Sequence, residues 1–153
     1  MVGDTALARW LAALPGSPEA WPELRHHWDQ MAGPTPSPLE RSLDGRFGEL
    51  AAEASRAGVP LLAGTDLGDP YVIPGYALHD ELALMVAAGV TPLVALQSAT
   101  SEPAKAFGLS GAVGAIRPGQ MADLIVLDAD PLADIRNTRR IRAVVLNGRW
   151  LAH

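Results

Sequence analysis

The sequence predicts an α/β fold followed by an all-β carboxyl-terminal part, and three observations carry that expectation. A short apolar run, Val59-Pro-Leu-Leu-Ala63, lies between Gly58 and Gly64 and reads as a strand buried on both faces. Amphipathic helical patterns stand on either side of it, as in an alternating α/β arrangement. Beyond residue 111 the pattern changes: Arg117-Pro-Gly-Gln120 and Asn147-Gly148 are turn signals between short apolar runs, as in β-hairpins.

Taken in order, residues 5–14 have helical spacing in Leu7, Trp10, Leu11 and Leu14, and Pro15-Gly16 stops them. Residues 17–38 are proline-rich and read as a long, lid-like connection with tryptophan anchors. Leu39 to Ala57 is a helix with an apolar stripe of Leu43, Phe47, Leu50, Ala51 and Ala54, and Gly58 provides a left-handed stop. After the strand at 59–63, Leu78, Leu82, Met85 and Val86 mark a second helix. Asp80 and Glu81 occupy its first turn, where negative charge favours the helix dipole. Thr91-Pro92 opens a third helix as N-cap and first helical residue, and Ser101-Glu-Pro103 opens a short fourth that ends at Gly108. The first hairpin then pairs 113–116 with 122–127, and the second joins 141–146 to 149–151 through Asn147-Gly148.

Bulk properties narrow the function classes. The chain has 153 residues, enough for a domain with a core, and 48% hydrophobic content to build one. A net charge of -5 with no long basic run argues against a nucleic-acid footprint, and no apolar run approaches membrane-spanning length. Absent cysteines remove disulfides, thiolate metal sites and cysteine nucleophiles, and fit a reducing, cytoplasmic setting. Any metal chemistry must then use histidine and carboxylate ligands. The expected partner is a small-molecule substrate.

Asp66 is the leading site candidate, because it follows a buried strand and a Gly-Thr turn, where the binding loops of parallel sheets gather. Read alone, it equally suits a turn residue. His79, at the start of the second helix, is a candidate substrate contact or a first-turn polar residue. His26 and His27 are adjacent, diverge by about 100° on a helix, and read as solvated positions rather than a metal pair. Asp69 suits either a substrate contact or the Asp-Pro turn it begins. Asp123 and Asp128 fit strand-flanking turns, and Lys105 has no evident catalytic part.

Gly58-Val-Pro-Leu-Leu-Ala-Gly-Thr-Asp66, Leu78-His-Asp-Glu-Leu82, Ala88-Gly-Val-Thr-Pro92, Leu96-Gln-Ser-Ala-Thr100, Pro103-Ala-Lys105, Gly114-Ala-Ile-Arg-Pro-Gly119 and Ala122-Asp-Leu-Ile-Val-Leu-Asp128 together resemble the carboxyl-terminal part of metal-dependent amidohydrolases, most closely imidazolonepropionase-like and prolidase-like members. The resemblance covers about residues 40 to 150, with the motifs in family order. It implies a terminal portion of a (β/α)8 barrel over residues 39–110 and strands of a small composite β-sandwich over 111–153, after the lid-like 1–38. On it, 59–63 resembles barrel strand eight. Asp66 resembles the aspartate that ligates a divalent metal, Zn²⁺ by preference, and takes a proton from the attacking water. The activity implied is hydrolysis of an amide, cyclic amide or peptide-like C–N bond.

The family's other ligands, a His-x-His pair, a strand-four lysine and two further histidines, have no counterpart among His26, His27, His79, His153 and Lys105. The expectation is therefore a fragment, inactive by itself and unable to hold a metal tightly. A missing barrel segment or a second copy would complete it. The alternatives are one half of a split enzyme and a non-catalytic interaction module.

Overall fold

The computed structural model describes residues 26, 28, 30, 38–67, 72–73 and 75–152. The expected helix at 5–14 and nearly all of the lid-like connection lie outside them. His26, Trp28 and Gln30 are helical, and Trp28 is buried. From residue 38 the elements are α1 (Pro38–Arg56), α2 (Ala77–Ala87), α3 (Pro92–Ser98), α4 (Ser101–Ala106), β1 (Leu124–Leu127), a 3-10 helix (Ile135–Arg139), β2 (Ile141–Leu146) and β3 (Arg149–Ala152). No described helix is long and apolar enough to cross a membrane.

The helix ends follow local chemistry. Gly58, at φ 75°, closes α1: its N–H donates to Ser55 O (3.0 Å) and Val59 N–H to Ala54 O (2.9 Å), the paired bonds of a Schellman stop. Gly89, at φ 105°, does the same for α2, with Gly89 N–H on Val86 O and Val90 N–H on Met85 O. Thr91 caps α3 through Oγ1, which accepts from Val94 N–H at 3.3 Å, and Pro92 occupies the first turn.

Two expectations about packing are corrected. The apolar stripe of α1 does not face inward: Phe47 is 64% and Leu50 62% exposed, while Ala52 is buried. The contact with the end of α2 runs instead through small residues. A Cβ added at Gly48 would meet Ala88 Cβ at 3.1 Å, and one at Gly89 would meet Ala52 Cβ at 3.7 Å. Backbones this close leave no room for Phe or Leu between them, so the bulky residues turn outward.

The second correction concerns 59–63. This segment forms no strand, and Val59 (52% exposed) and Leu62 (49%) are not buried. A ladder needs a neighbour, and among the described residues no strand lies beside it. Its inner side is nevertheless fixed. Leu61 and Ala63 pack on the core, and Ala63 N–H donates to Ser98 O at 2.9 Å.

That core is built from Leu82, Met85, Val90, Ala95 and Ile135. Ala95 and Ser98 are fully buried, and Ser98 Oγ donates to Ala95 O at 2.7 Å, which satisfies the hydroxyl inside an apolar setting. Ile135 brings the 3-10 helix onto α2, so the polar connection between strands is anchored to the helical part.

The β part is a meander, β1-β2-β3, with both pairings antiparallel. The second hairpin forms as expected: Asn147 (φ 49°) and Gly148 (φ 74°) both adopt the positive φ of a type I′ turn. The first does not. Its turn exists, with Gln120 N–H on Arg117 O and Gly119 at φ 87°, but 113–116 forms no strand and Ile116 is 86% exposed. β1 pairs with β2 instead, from Leu124↔Val145 to Leu127↔Ile141, with a bulge after Val126. The chain at 113–116 is engaged elsewhere, because Gly114 is pressed against the start of α4.

Candidate functional site

Asp66 follows the 59–63 segment in a left-handed backbone conformation, φ 50°. Aspartate is one of the few side-chain-bearing residues that visits this region readily. Its flanking residues Thr65 and Leu67, together with Ala63, Gly64, Gly75, Ala77 and Leu78, line a cleft of about 430 Å³. The cleft thus lies between the loop carrying Asp66 and the first turn of α2. Asp66 itself is exposed.

Glu81, read from the sequence as a helix-dipole residue, has a more specific position. It lies one helical turn before the buried Met85 and is half-buried, while Leu78, one turn earlier, is 41% exposed. Burial pushes its pKa up, and the nearby Gly64 backbone amide opposes part of that rise.

His79 faces the 3-10 helix and is not among the residues lining the cleft. Its Nδ1 lies 3.0 Å from Thr138 Oγ1, and the Thr138 hydroxyl donates to Ile135 O at 2.8 Å. A hydroxyl has one proton, so Thr138 accepts from His79 Nδ1–H, which leaves Nε2 as the unprotonated nitrogen of the neutral ring. Beside it Arg139 donates to the Asp80 carboxylate. Burial lowers the His79 pKa from 6.5, Arg139 lowers it further, and Asp80 opposes both.

A histidine whose folded pKa is depressed binds its proton less readily in the native state than in the unfolded chain. Its contribution to stability is therefore present above about pH 6.5 and is lost as pH falls toward the lower folded value. Thermal unfolding between pH 7 and 5 is expected to show a steeper fall in Tm for the wild type than for His79→Gln. Parallel curves would contradict the assignment. The comparison with His79→Gln is needed because Glu81, with its raised pKa, contributes with the opposite sign: its stability is present below 4.5 and is lost as pH rises through its folded value.

The remaining candidates separate clearly. His26 is exposed, with Nε2 2.9 Å from Gln30 Nε2. His27 and Asp69 lie outside the described residues. Asp123 Oδ1 accepts from Asn147 N–H at 2.6 Å and Asp128 pairs with Arg142 at 2.6 Å, both local to the sheet. Lys105 pairs with Glu102 on the exposed side of α4. Among the described residues no group of three His, Asp or Glu side chains could hold a metal ion. Asp66 offers a hard oxygen, but catalytic metal sites generally have three protein ligands, so the described residues do not fit a metal by themselves.

The model of the amidohydrolase family matches residues 46–151. The chain belongs to the amidohydrolase family, whose fold is of TIM-barrel type. It is 41% identical over 88 residues to an adenine deaminase of Methanothrix thermoacetophila, an alignment covering 58% of this chain and 14% of that protein. A Xaa-Pro dipeptidase with bound methionine superposes with a TM-score of 0.68 at 27% identity, covering 86% of this chain and 32% of that one. Molinate hydrolase superposes with a TM-score of 0.62 at 30% identity, covering 83% and 30%. The chain thus spans about a seventh of that deaminase and about a third of the solved structures.

Proposed function

We propose that this chain supplies the strand-eight aspartate and neighbouring rim of a hydrolase acting on C–N bonds of small molecules, and that the remaining ligands and barrel wall come from polypeptide beyond these residues. The observation that carries the reading is Asp66: a carboxylate in left-handed backbone, at the end of the 59–63 segment and beside the cleft, inside the family match. Its role is to accept a proton from the attacking water, which needs a base placed by a rigid segment. A divalent metal, Zn²⁺ by preference, belongs to the site only once further ligands are present. The cleft wall from Gly75 to Leu78 takes part in holding substrate, with His79 just behind it. β1, β2 and β3 serve as part of a composite sandwich. Nucleic acid and membrane have no place in this reading, and the setting is cytoplasmic.

The half-exposed Val59 and Leu62, with Phe47 and Leu50 on α1, favour an apolar covering of this edge. That covering is a barrel segment in the principal reading and a second copy or other partner in the reading as an interaction module. The two are separated by placing an affinity tag at the carboxyl end in the native host and identifying what is recovered. The principal reading expects a longer polypeptide, or a complex, that carries a His-x-His pair and divalent metal. Recovery of the 153-residue chain alone and free of metal would contradict it.

A further inference from the structure

One wall of the cleft is the turn that leads into α2, where Gly75, Ala77 and Leu78 line it. The local support of this turn comes from backbone alone. Ile73 O accepts from Tyr76 N–H at 3.1 Å and Ala77 N–H at 2.9 Å, and Tyr76 stands at the capping position without a side-chain bond to the helix. Side-chain support arrives from a segment distant in the chain. The two residues that follow Leu78 are both bonded to the 3-10 helix: His79 Nδ1 lies 3.0 Å from Thr138 Oγ1, and Arg139 donates to the Asp80 carboxylate. We propose that the 3-10 helix Ile135–Arg139 is the positioning element of this cleft wall: Thr138 and Arg139, by holding His79 and Asp80, fix how residues 75–78 stand against bound substrate.

The Thr138 hydroxyl is itself immobilised. It is buried and donates to Ile135 O at 2.8 Å, so it presents an oriented lone pair to His79. Successive helical residues diverge by about 100°, so bonds to both His79 and Asp80 resist rolling of α2 about its axis as well as lifting of its first turn. The 3-10 helix cannot follow such a motion, because it is tied on all sides. Ile135 belongs to the core with Leu82 and Met85, and Asp134 Oδ1 caps the helix by accepting from Arg136 N–H at 3.0 Å. Asn137 Nδ2 donates to Asp130 O at 2.8 Å, and Arg140 O accepts from Asp128 N–H at 2.8 Å just past β1. The sheet is thereby linked to the cleft. The Asp80–Arg139 pair is partly exposed, and such pairs add little to stability, which suits orientation better than stabilisation. Thr138 and Arg139 are not among the residues lining the cleft, so they act on substrate through the first turn of α2.

This role rests on the reading of residues 75–78 as a wall that holds substrate, and Leu78→Ala keeps the two apart. In the full chain, amide hydrogen exchange is followed at Asp80, whose N–H donates to Tyr76 O in the first turn, and at Val90, whose N–H donates to Met85 O past the other end of α2. Thr138→Val keeps the side-chain shape and removes the hydroxyl. It should speed Asp80 exchange by about tenfold with little change at Val90, and Thr138→Ser should restore the wild-type rate. Arg139→Ala, at a partly exposed position, should speed Asp80 exchange by about threefold, and it covers the case in which Thr138→Val fails to fold.

In the complete hydrolase, Thr138→Val should raise KM by about 3- to 10-fold with kcat changed less, and Thr138→Ser should return KM to the wild-type value. A threonine that served stability alone would lower the folded fraction and leave KM as it is. Unchanged Asp80 exchange in both Thr138→Val and Arg139→Ala, or a wild-type KM in Thr138→Val beside a raised KM in Leu78→Ala, would overturn the positioning role alone. A wild-type KM in Leu78→Ala would overturn the reading of the wall, and the part of the 3-10 helix in substrate binding falls with it, however fast Asp80 exchanges.

Discussion

Replacing Asp66 with asparagine in the complete hydrolase is expected to lower kcat by about 10²- to 10⁴-fold, the range over which a placed general base contributes. Asparagine is the informative substitution because it, like aspartate, tolerates the left-handed backbone found at φ 50°. It keeps the turn and nearly the same volume while removing the carboxylate proposed to accept the proton. Alanine would combine that loss with backbone strain and confuse the two. Asp66 is exposed, so thermal stability should not change. Steady-state kinetics and a melting curve on the same preparations check this. A kcat within a few-fold of wild type would assign the proton transfer to another residue.

The largest expected effect on folding is at Gly114. A Cβ there would lie 2.5 Å from Ala104 Cβ, 3.0 Å from Thr100 O and 3.3 Å from Ser101 Cα, and the residue's φ is 91°. Gly114→Ala therefore forces α4 away from the 113–116 segment and also places a side chain in a backbone region it avoids. The combined loss is expected to be about 3 kcal/mol, read from denaturant unfolding. Ala104→Gly in the same molecule removes the closest clash but neither the Thr100 contact nor the φ, so it should restore only part of the stability. Gly119 provides the control: it shares a positive φ, 87°, but has open space around it, and its alanine variant should lose about 1 kcal/mol. Equal losses at 114 and 119 would show that packing against α4 is unimportant.

Features written in local chemistry were legible in the sequence. Thr91-Pro92 opens α3, Gly58 and Gly89 close α1 and α2, and Asn147-Gly148 turns β2 into β3, because each depends on a few adjacent residues. Features that depend on partners distant in the chain were not. The strand expected at 59–63 has no neighbouring strand among the described residues, and the strand expected at 113–116 gives way to the contact of Gly114 with α4. On α1, the apolar stripe gave the wrong inward face because Gly48 and Ala52 allow a closer approach than Phe47 and Leu50 would.

The site divides in the same way. Asp66 could be singled out from its place after an apolar run; in the structure it is exposed, and its neighbours Thr65 and Leu67, rather than Asp66 itself, line the cleft. His79 was also selected, but its Nδ1 is engaged by Thr138, 59 residues further on, and no local pattern announces that bond. Glu81, read as a helix-dipole residue, is half-buried, and burial raises its pKa.

The central proposal is that the described residues carry one part of an amidohydrolase site and do not complete it by themselves. Calorimetric titration of Zn²⁺ into the purified 153-residue chain at neutral pH, with hydrolase assays on the same sample, tests it most directly. The account predicts no tight stoichiometric binding and no turnover, since the described residues offer no three-ligand cluster. Tight binding of one or two ions per chain, with turnover, would contradict it.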